Sequence, residues 1–253
     1  MAGTDEGKIW DLVYKLIEDE KCILIIGPEI AVMNSEKSIN QLIKERIENG
    51  ISGKVSYYDD DEFFHFTDEQ EEGLALMDIQ GFYDELKPNE IHEKIAEIPF
   101  HMIISVSPDL LMKKLFESKK LDFAFDYYNK QQNPNTIEKP TGKKPLIYNL
   151  FGNIEQEGSV VLTYTELFDY IISISGKDDM PQEIKNQIQN SRMVLFLGFK
   201  FEKWYFKLLL RLLKIQEGKN IRQAGKGRAM LPQIRNFYSD EFKIKFLEYS
   251  SEE

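Results

Sequence analysis

The chain has 253 residues, enough for one large α/β domain or two small ones with a proper core, and its 42% hydrophobic and 30% charged content excludes a disordered chain. With 43 acidic against 32 basic side chains the formal net charge is -11, which argues against a nucleic-acid-binding surface, because neutralising phosphates takes a basic patch. The single cysteine, Cys22, excludes an internal disulfide framework and a zinc site built from four cysteines. No apolar stretch approaches the length of a membrane span. The start, Met1-Ala2-Gly3-Thr4-Asp5-Glu6, lacks the basic-then-apolar pattern of a signal peptide, so a cytoplasmic protein is expected.

In chain order, Ile9, Trp10, Leu12, Val13, Leu16 and Ile17 share one broad face and predict a helix. It leads into Lys21-Cys22-Ile23-Leu24-Ile25-Ile26-Gly27, a short apolar run without alternation that reads as a strand buried on both faces, with Cys22 as a small core residue. Its terminal glycine marks a loop where backbone approaches a ligand, since open α/β sheets bind ligands at the carboxyl ends of their strands. Ile39, Leu42, Ile43 and Ile47 place a helix in Ser35–Glu48, ended by Asn49-Gly50. Tyr57-Tyr58-Asp59-Asp60-Asp61-Glu62-Phe63-Phe64-His65-Phe66 reads as a solvated loop beside buried aromatics. Its three aspartates point different ways on any regular backbone and lack calcium-loop spacing.

Helical patterns return over Asp68–Leu86 and Asn89–Glu97, then a second apolar strand over Phe100–Asp109, ending in polar residues, and a helix over Leu110–Ser118. Asn129–Lys144, with its prolines and Gly142, reads as a loop. Pro145–Gly152 is a third strand, and Thr165 is a candidate cap for a helix over Glu166–Ile172. Met193–Gly198 is a fourth strand, followed by an apolar helix over Trp204–Leu213 and an alternating edge strand over Phe242–Leu247. Strands recurring with helices between them predict an α/β fold, Rossmann-like and doubly wound, with a mostly parallel sheet. A helical insertion follows the first strand, roughly over residues 34–99, within one domain spanning 1–253. The charged end, Tyr249-Ser250-Ser251-Glu252-Glu253, directly after the last strand suggests the N-terminal module of a longer protein.

The order of these segments resembles the sirtuin-like NAD-binding family, in its bacterial branch associated with antiphage defence and NAD cleavage. The family's Gly-Ala-Gly-x-Ser turn, which wraps the pyrophosphate, is matched by Gly27-Pro28-Glu29-Ile30-Ala31, with only the first glycine kept. Its strand ending Thr-x-Asn-x-Asp is matched by Ser105-Val106-Ser107-Pro108-Asp109: the aspartate is retained as Asp109 and the asparagine replaced by Ser107. Its strand ending His-Gly, whose histidine is the catalytic base, is matched by Leu150-Phe151-Gly152, with Phe151 where the histidine belongs. Val160–Phe168 resembles the Val-Leu-Thr-x-x-x-Tyr segment, and Phe196-Leu197-Gly198-Phe199-Lys200-Phe201-Glu202-Lys203-Trp204 the late Phe-x-Gly-Tyr-Ser-x-x-Asp-Trp turn.

The resemblance implies NAD or an ADP-ribose-like nucleotide as ligand, at Gly27, Pro28, Glu29, Ser107, Asp109, Gly152, Gly198 and Phe199. The departures weaken the chemistry. Phenylalanine cannot accept a proton, and losing a positioned base costs a factor of ~10²–10⁴. Glu29 repels a pyrophosphate unless it points away, and Pro28 removes one backbone donor. For His65, His92 and His101 a surface or structural role is expected. Without the paired cysteines of the deacylase branch no zinc is expected, and deacylation is disfavoured. The reading is a pseudoenzyme: a binding, regulatory or assembly module, associated with itself as a homo-oligomer or with other defence components. Two alternatives stand beside it. One is an active NAD glycohydrolase using Asp109 and Tyr148 as an unusual base; the other is an interaction scaffold with no small-molecule site.

Overall fold

The computed structural model describes residues 3–32, 35–132, 135–156, 158–176, 180–215, 221–224 and 230–246. Helix α1 (Gly3–Glu18) leads into β1 (Cys22–Ile26) and a 3-10 turn (Pro28–Val32). Then come α2 (Ile39–Glu48), the hairpin strands β2 (Ser56–Tyr58) and β3 (Phe63–His65), α3 (Glu69–Glu85) and α4 (Glu90–Glu97). The chain continues through β4 (Met102–Ser105), α5 (Leu111–Ser118), β5 (Ala124–Tyr127) and β6 (Leu146–Asn149). It ends with α6 (Tyr164–Ser175), α7 (Gln182–Asn190), β7 (Met193–Leu197), α8 (Trp204–Leu212), β8 (Ile221–Ala224), α9 (Pro232–Glu241) and β9 (Ile244–Phe246).

Seven strands form one sheet in the order β5-β6-β4-β1-β7-β8-β9, and every pairing is parallel. This is the Rossmann-like doubly wound sheet expected from the sequence. The central strand β1 explains why its apolar run shows no alternation. Ile23 and Ile25 enter the core under α6, α7, α8 and α9, while Cys22, Leu24 and Ile26 enter the opposite core with α1, α4 and α5. Cys22 is fully enclosed, and burial pushes its thiol pKa up to about 12, as suits a small core residue. A third core gathers Ile43, Ile47, Phe64, Ala75 and Ile79 from α2, the hairpin and α3 against Leu110, Ile154, Val160 and Leu162, which belong to loops after β4 and β6.

Several expectations need correction. The acidic aromatic stretch is a hairpin, with Tyr57 opposite Phe64 and Tyr58 opposite Phe63; only the turn between them is a loop. Backbone pairing and two buried phenylalanines outweigh the polarity of the four intervening residues. Thr165 is not the helix cap: Thr163 is, accepting from the Glu166 N–H while Glu166 Oε2 accepts from the Thr163 N–H at 2.9 Å. Strands β5 and β8 and helices α7 and α9 were not anticipated. The last strand begins at Ile244 rather than Phe242, because Phe242 closes α9. Asn34, where the insertion was expected to begin, Leu247 and the terminal Tyr249–Glu253 lie outside the described residues. Among the described residues no helix is long and apolar enough to cross a membrane.

His101 and His92 are both buried and His65 is exposed. Burial holds the His101 pKa below its ordinary 6.5, with Glu20 acting the other way. The unfolded chain therefore takes up this proton at a higher pH than the folded one. Stability should fall as pH drops from 6.5 toward the lowered folded value, by at most about 1.4 kcal/mol per pH unit for this group. Urea unfolding across that window should show a shallower loss for His101→Leu than for the native chain. An unchanged slope would remove His101 from the acid response.

Candidate functional site

The carboxyl ends of β1, β4, β6 and β7 converge beside the point where the strand order reverses, β4 lying on one side of β1 and β7 on the other. This is where an open α/β sheet forms its crevice.

At the end of β1 the turn is bonded to its own protein. The Gly27 N–H donates to the Leu197 carbonyl at 2.7 Å, Pro28 has no N–H, and the Glu29 N–H donates to the Gly198 carbonyl at 3.2 Å. The Ile30 N–H reaches the Gly27 carbonyl at 3.5 Å. The amides of Gly27, Glu29 and Ile30 are thus each turned to a protein carbonyl. The two glycines serve the same contact. A Cβ on Gly27 would stand 2.1 Å from the Gly198 oxygen, and one on Gly198 would stand 2.3 Å from Ile30 Cγ2. Gly198 also has φ +72°, a conformation that favours glycine. Glycine is needed here so that two backbones can touch. A dinucleotide pyrophosphate does not fit this turn as it is folded.

At the end of β4, Ser105 and Ser107 bond each other: the Ser107 N–H donates to Ser105 Oγ at 3.1 Å. Asp109 Oδ1 accepts from the Leu111 N–H at 3.0 Å, one residue before the Leu110 N-cap of α5, and its carbonyl accepts from Asn149 Nδ2 at 2.7 Å. Two titratable neighbours feel its charge. Tyr83 is pushed up first by burial and then by Asp109; burial holds His92 below the ordinary histidine range, and Asp109 opposes that. His92 meets Asn89 Oδ1 at 2.7 Å, and Asn89 Nδ2 donates to the Ile30 carbonyl at 2.6 Å, tying α4 to the turn after β1. His92 is structural.

At the end of β6, Gly152 has φ +87°, and a Cβ there would stand 2.1 Å from the Ser159 oxygen. Phe151 lies with its ring centroid 5.1 Å from Tyr170 and 6.4 Å from Tyr205. The Phe151 ring itself offers no proton acceptor at this position. Tyr148, the unusual base of the alternative reading, lies on β6. It is enclosed in the core, and burial, then Tyr170, Asp126 and Tyr128, push its phenol well above the ordinary range. A phenol held neutral cannot take a proton.

The end of β7 holds what the sequence reading missed. Lys200 Nζ lies 2.8 Å from Glu62 Oε1 and 3.7 Å from Glu29 Oε1; Lys203 Nζ lies 3.6 Å from Glu62 Oε1 and donates to the Asp60 carbonyl at 2.7 Å. Glu62 and Lys203 are only 7% and 8% exposed. The turn of the β2–β3 hairpin is thereby clamped over the crevice. Tyr164 Oη donates to Asp61, Asn40 Nδ2 donates to the Glu62 carbonyl at 2.9 Å, and the Phe63 ring sits 5.3 Å from Tyr205. Glu29 thus faces Lys200, which it shares with Glu62. Asp59 turns outward to Lys44 at 3.4 Å, so the three aspartates do diverge. The usable signal was the pair Lys200 and Lys203 just beyond a strand-ending glycine, although nothing local names their carboxylate partner.

A parallel, doubly wound sheet with its loops gathered at the carboxyl ends defines a Rossmann-like α/β protein. Within that class, the family model described as SIR2-like domain matches residues 101–250, more than half of the chain. The chain belongs to that family. No curated protein matches its sequence. Matching solved structures include Sir2 in complex with the inhibitor EX-527, 2'-O-acetyl-ADP-ribose and a deacetylated p53 peptide, 11% identical, with 95% of this chain and 94% of that chain covered at a TM-score of 0.49. Another is a Sir2 histidine-to-alanine variant with a deacetylated p53 peptide and 3'-O-acetyl ADP ribose, 11% identical, with 95% and 93% covered at 0.43.

Proposed function

We propose that this sirtuin-like domain is catalytically degenerate and acts as a binding, regulatory or assembly module of a bacterial defence or signalling protein. The observation that supports this reading is the turn after β1. Its Gly27, Glu29 and Ile30 amides donate to Leu197, Gly198 and Gly27 instead of facing a pyrophosphate. Phe151 in place of the family's base points the same way, since without a positioned acceptor the ribose hydroxyl keeps its proton. The defence setting rests on likeness to the bacterial branch alone.

Incubating the purified chain with NAD and measuring nicotinamide release tests the reading. Release at the level of a protein-free control is expected. Robust turnover that disappears in Asp109→Ala would establish an active NAD glycohydrolase instead. A role in protein binding alone is favoured by the same filled turn. A thermal shift with NAD and ADP-ribose separates the two, because a ligand that binds only the folded state raises its stability.

A further inference from the structure

We infer that Glu62 is a built-in plug: its carboxylate occupies an anion position formed by Lys200 and Lys203, and a phosphate-bearing ligand can enter there only by displacing the hairpin turn. The inference rests on the binding role proposed above and places that binding at the crevice.

Four features of the chain support it. Glu62 is brought to the crevice from the far side of the hairpin, with its acceptor oxygen 2.8 Å from Lys200 and 3.6 Å from Lys203. Two ammonium groups around one oxygen anion is the arrangement that also receives a phosphate oxygen. The residue reaches this place with φ +63°, a left-handed backbone that a glutamate adopts only where its surroundings hold it. Lys200 and Lys203 face Glu29, Glu62 and, acting on Lys203, Asp61 of the same turn, so withdrawing the turn leaves Glu29 as the one carboxylate of this set facing two cations. The turn itself is attached by separable polar contacts: Tyr164 to Asp61, Lys203 to the Asp60 carbonyl, and Asn40 to the Glu62 carbonyl. The hairpin's strands are three residues each and, among the described residues, pair with one another and, at Phe64, with the Leu162–Thr163 segment. So short a ribbon is held by its docking, and losing that docking frees it.

Displacement follows from competition. A ligand shifts the turn only by its differential affinity for the open form, and the two lysines supply that difference once Glu62 has left. Glu62→Gln keeps the shape and removes the competing charge.

Inorganic pyrophosphate is the probe, titrated by calorimetry at fixed ionic strength. Glu62→Gln should bind at least tenfold more tightly than the native chain, and adding Lys200→Met and Lys203→Met should abolish the gain. Equal affinity of native chain and Glu62→Gln, or a gain that survives loss of both lysines, would overturn the proposal. Hydrogen exchange on the native chain decides independently of whether the variant folds. Pyrophosphate should speed exchange at residues 56–65 while sodium chloride at matched ionic strength does not, and unchanged exchange counts against the plug. Nicotinamide release measured on the same samples keeps the two readings apart. Turnover by the native chain would refute catalytic degeneracy and leave the Glu62 result standing on its own.

Discussion

Gly27→Ala should destabilise the protein by about 3 kcal/mol or more, seen as a lower urea midpoint at unchanged slope. The added methyl would stand 2.1 Å from the Gly198 oxygen and 2.7 Å from its carbonyl carbon, and both belong to backbone, which cannot swing aside like a side-chain tip. Relief would require β1 and β7 to separate at their ends. That breaks the 2.7 Å bond from the Gly27 N–H to Leu197 and the 3.2 Å bond from Glu29 to Gly198. The first of these belongs to the buried Gly27 beside the central strands, where an unmade bond costs about 1–3 kcal/mol. Gly73→Ala is the internal comparison. It lies in α3 with nothing within 4 Å of an added Cβ, so the same chemical change should be neutral or slightly stabilising. If Gly27→Ala unfolds at the native midpoint, the close approach of the two turns is not a feature of the folded protein.

The same residue shows how far sequence reasoning reached. A short apolar run ending in glycine identifies a central parallel strand because such a strand is buried on both faces and has no room for polar alternation. That logic located β1, β4, β6 and β7. It passed over β5, whose Asp126 and half-buried tyrosine resemble a loop, and over β8, which reads Ile-Arg-Gln-Ala and lies toward the opposite end of the sheet. Helix α7 escaped because its sequence is largely Gln, Asn, Glu and Lys, with Ile184 and Ile188 alone supplying an apolar stripe. The Thr163 cap was legible: a capping box needs Glu or Gln three residues on, which Thr163 has in Glu166 and Thr165, followed by Phe168, does not. At the site, the sequence located Gly27 and Gly198 at strand ends but not their contact with each other. Whether a glycine leaves space for a phosphate or for another backbone depends on a residue far along the chain. Glu62 meets Lys200 across 138 positions, and no local pattern encodes that pairing.

Lys203→Met should cost about 2–4 kcal/mol and loosen the hairpin before it loosens the sheet. Burial lowers the pKa of this lysine below its ordinary 10.5, opposed chiefly by Glu62, so the charge is tolerated because of its partners. Removing it leaves the Asp60 carbonyl without its 2.7 Å donor and leaves Glu62 and Glu29 sharing Lys200 alone. A buried carboxylate with half its compensation gone is the costly outcome, whereas removing both members of a pair is far milder. The double variant Glu62→Gln with Lys203→Met should therefore be more stable than the sum of the single changes predicts, by about 1–3 kcal/mol of coupling. Exchange at residues 56–65 should rise in Lys203→Met while β1 and β7 stay protected, because the hairpin turn is fastened to the body by this cluster and the central strands are not. Additive single effects, or a uniform rise in exchange across the sheet, would mean that the four charges are neighbours without being a clamp.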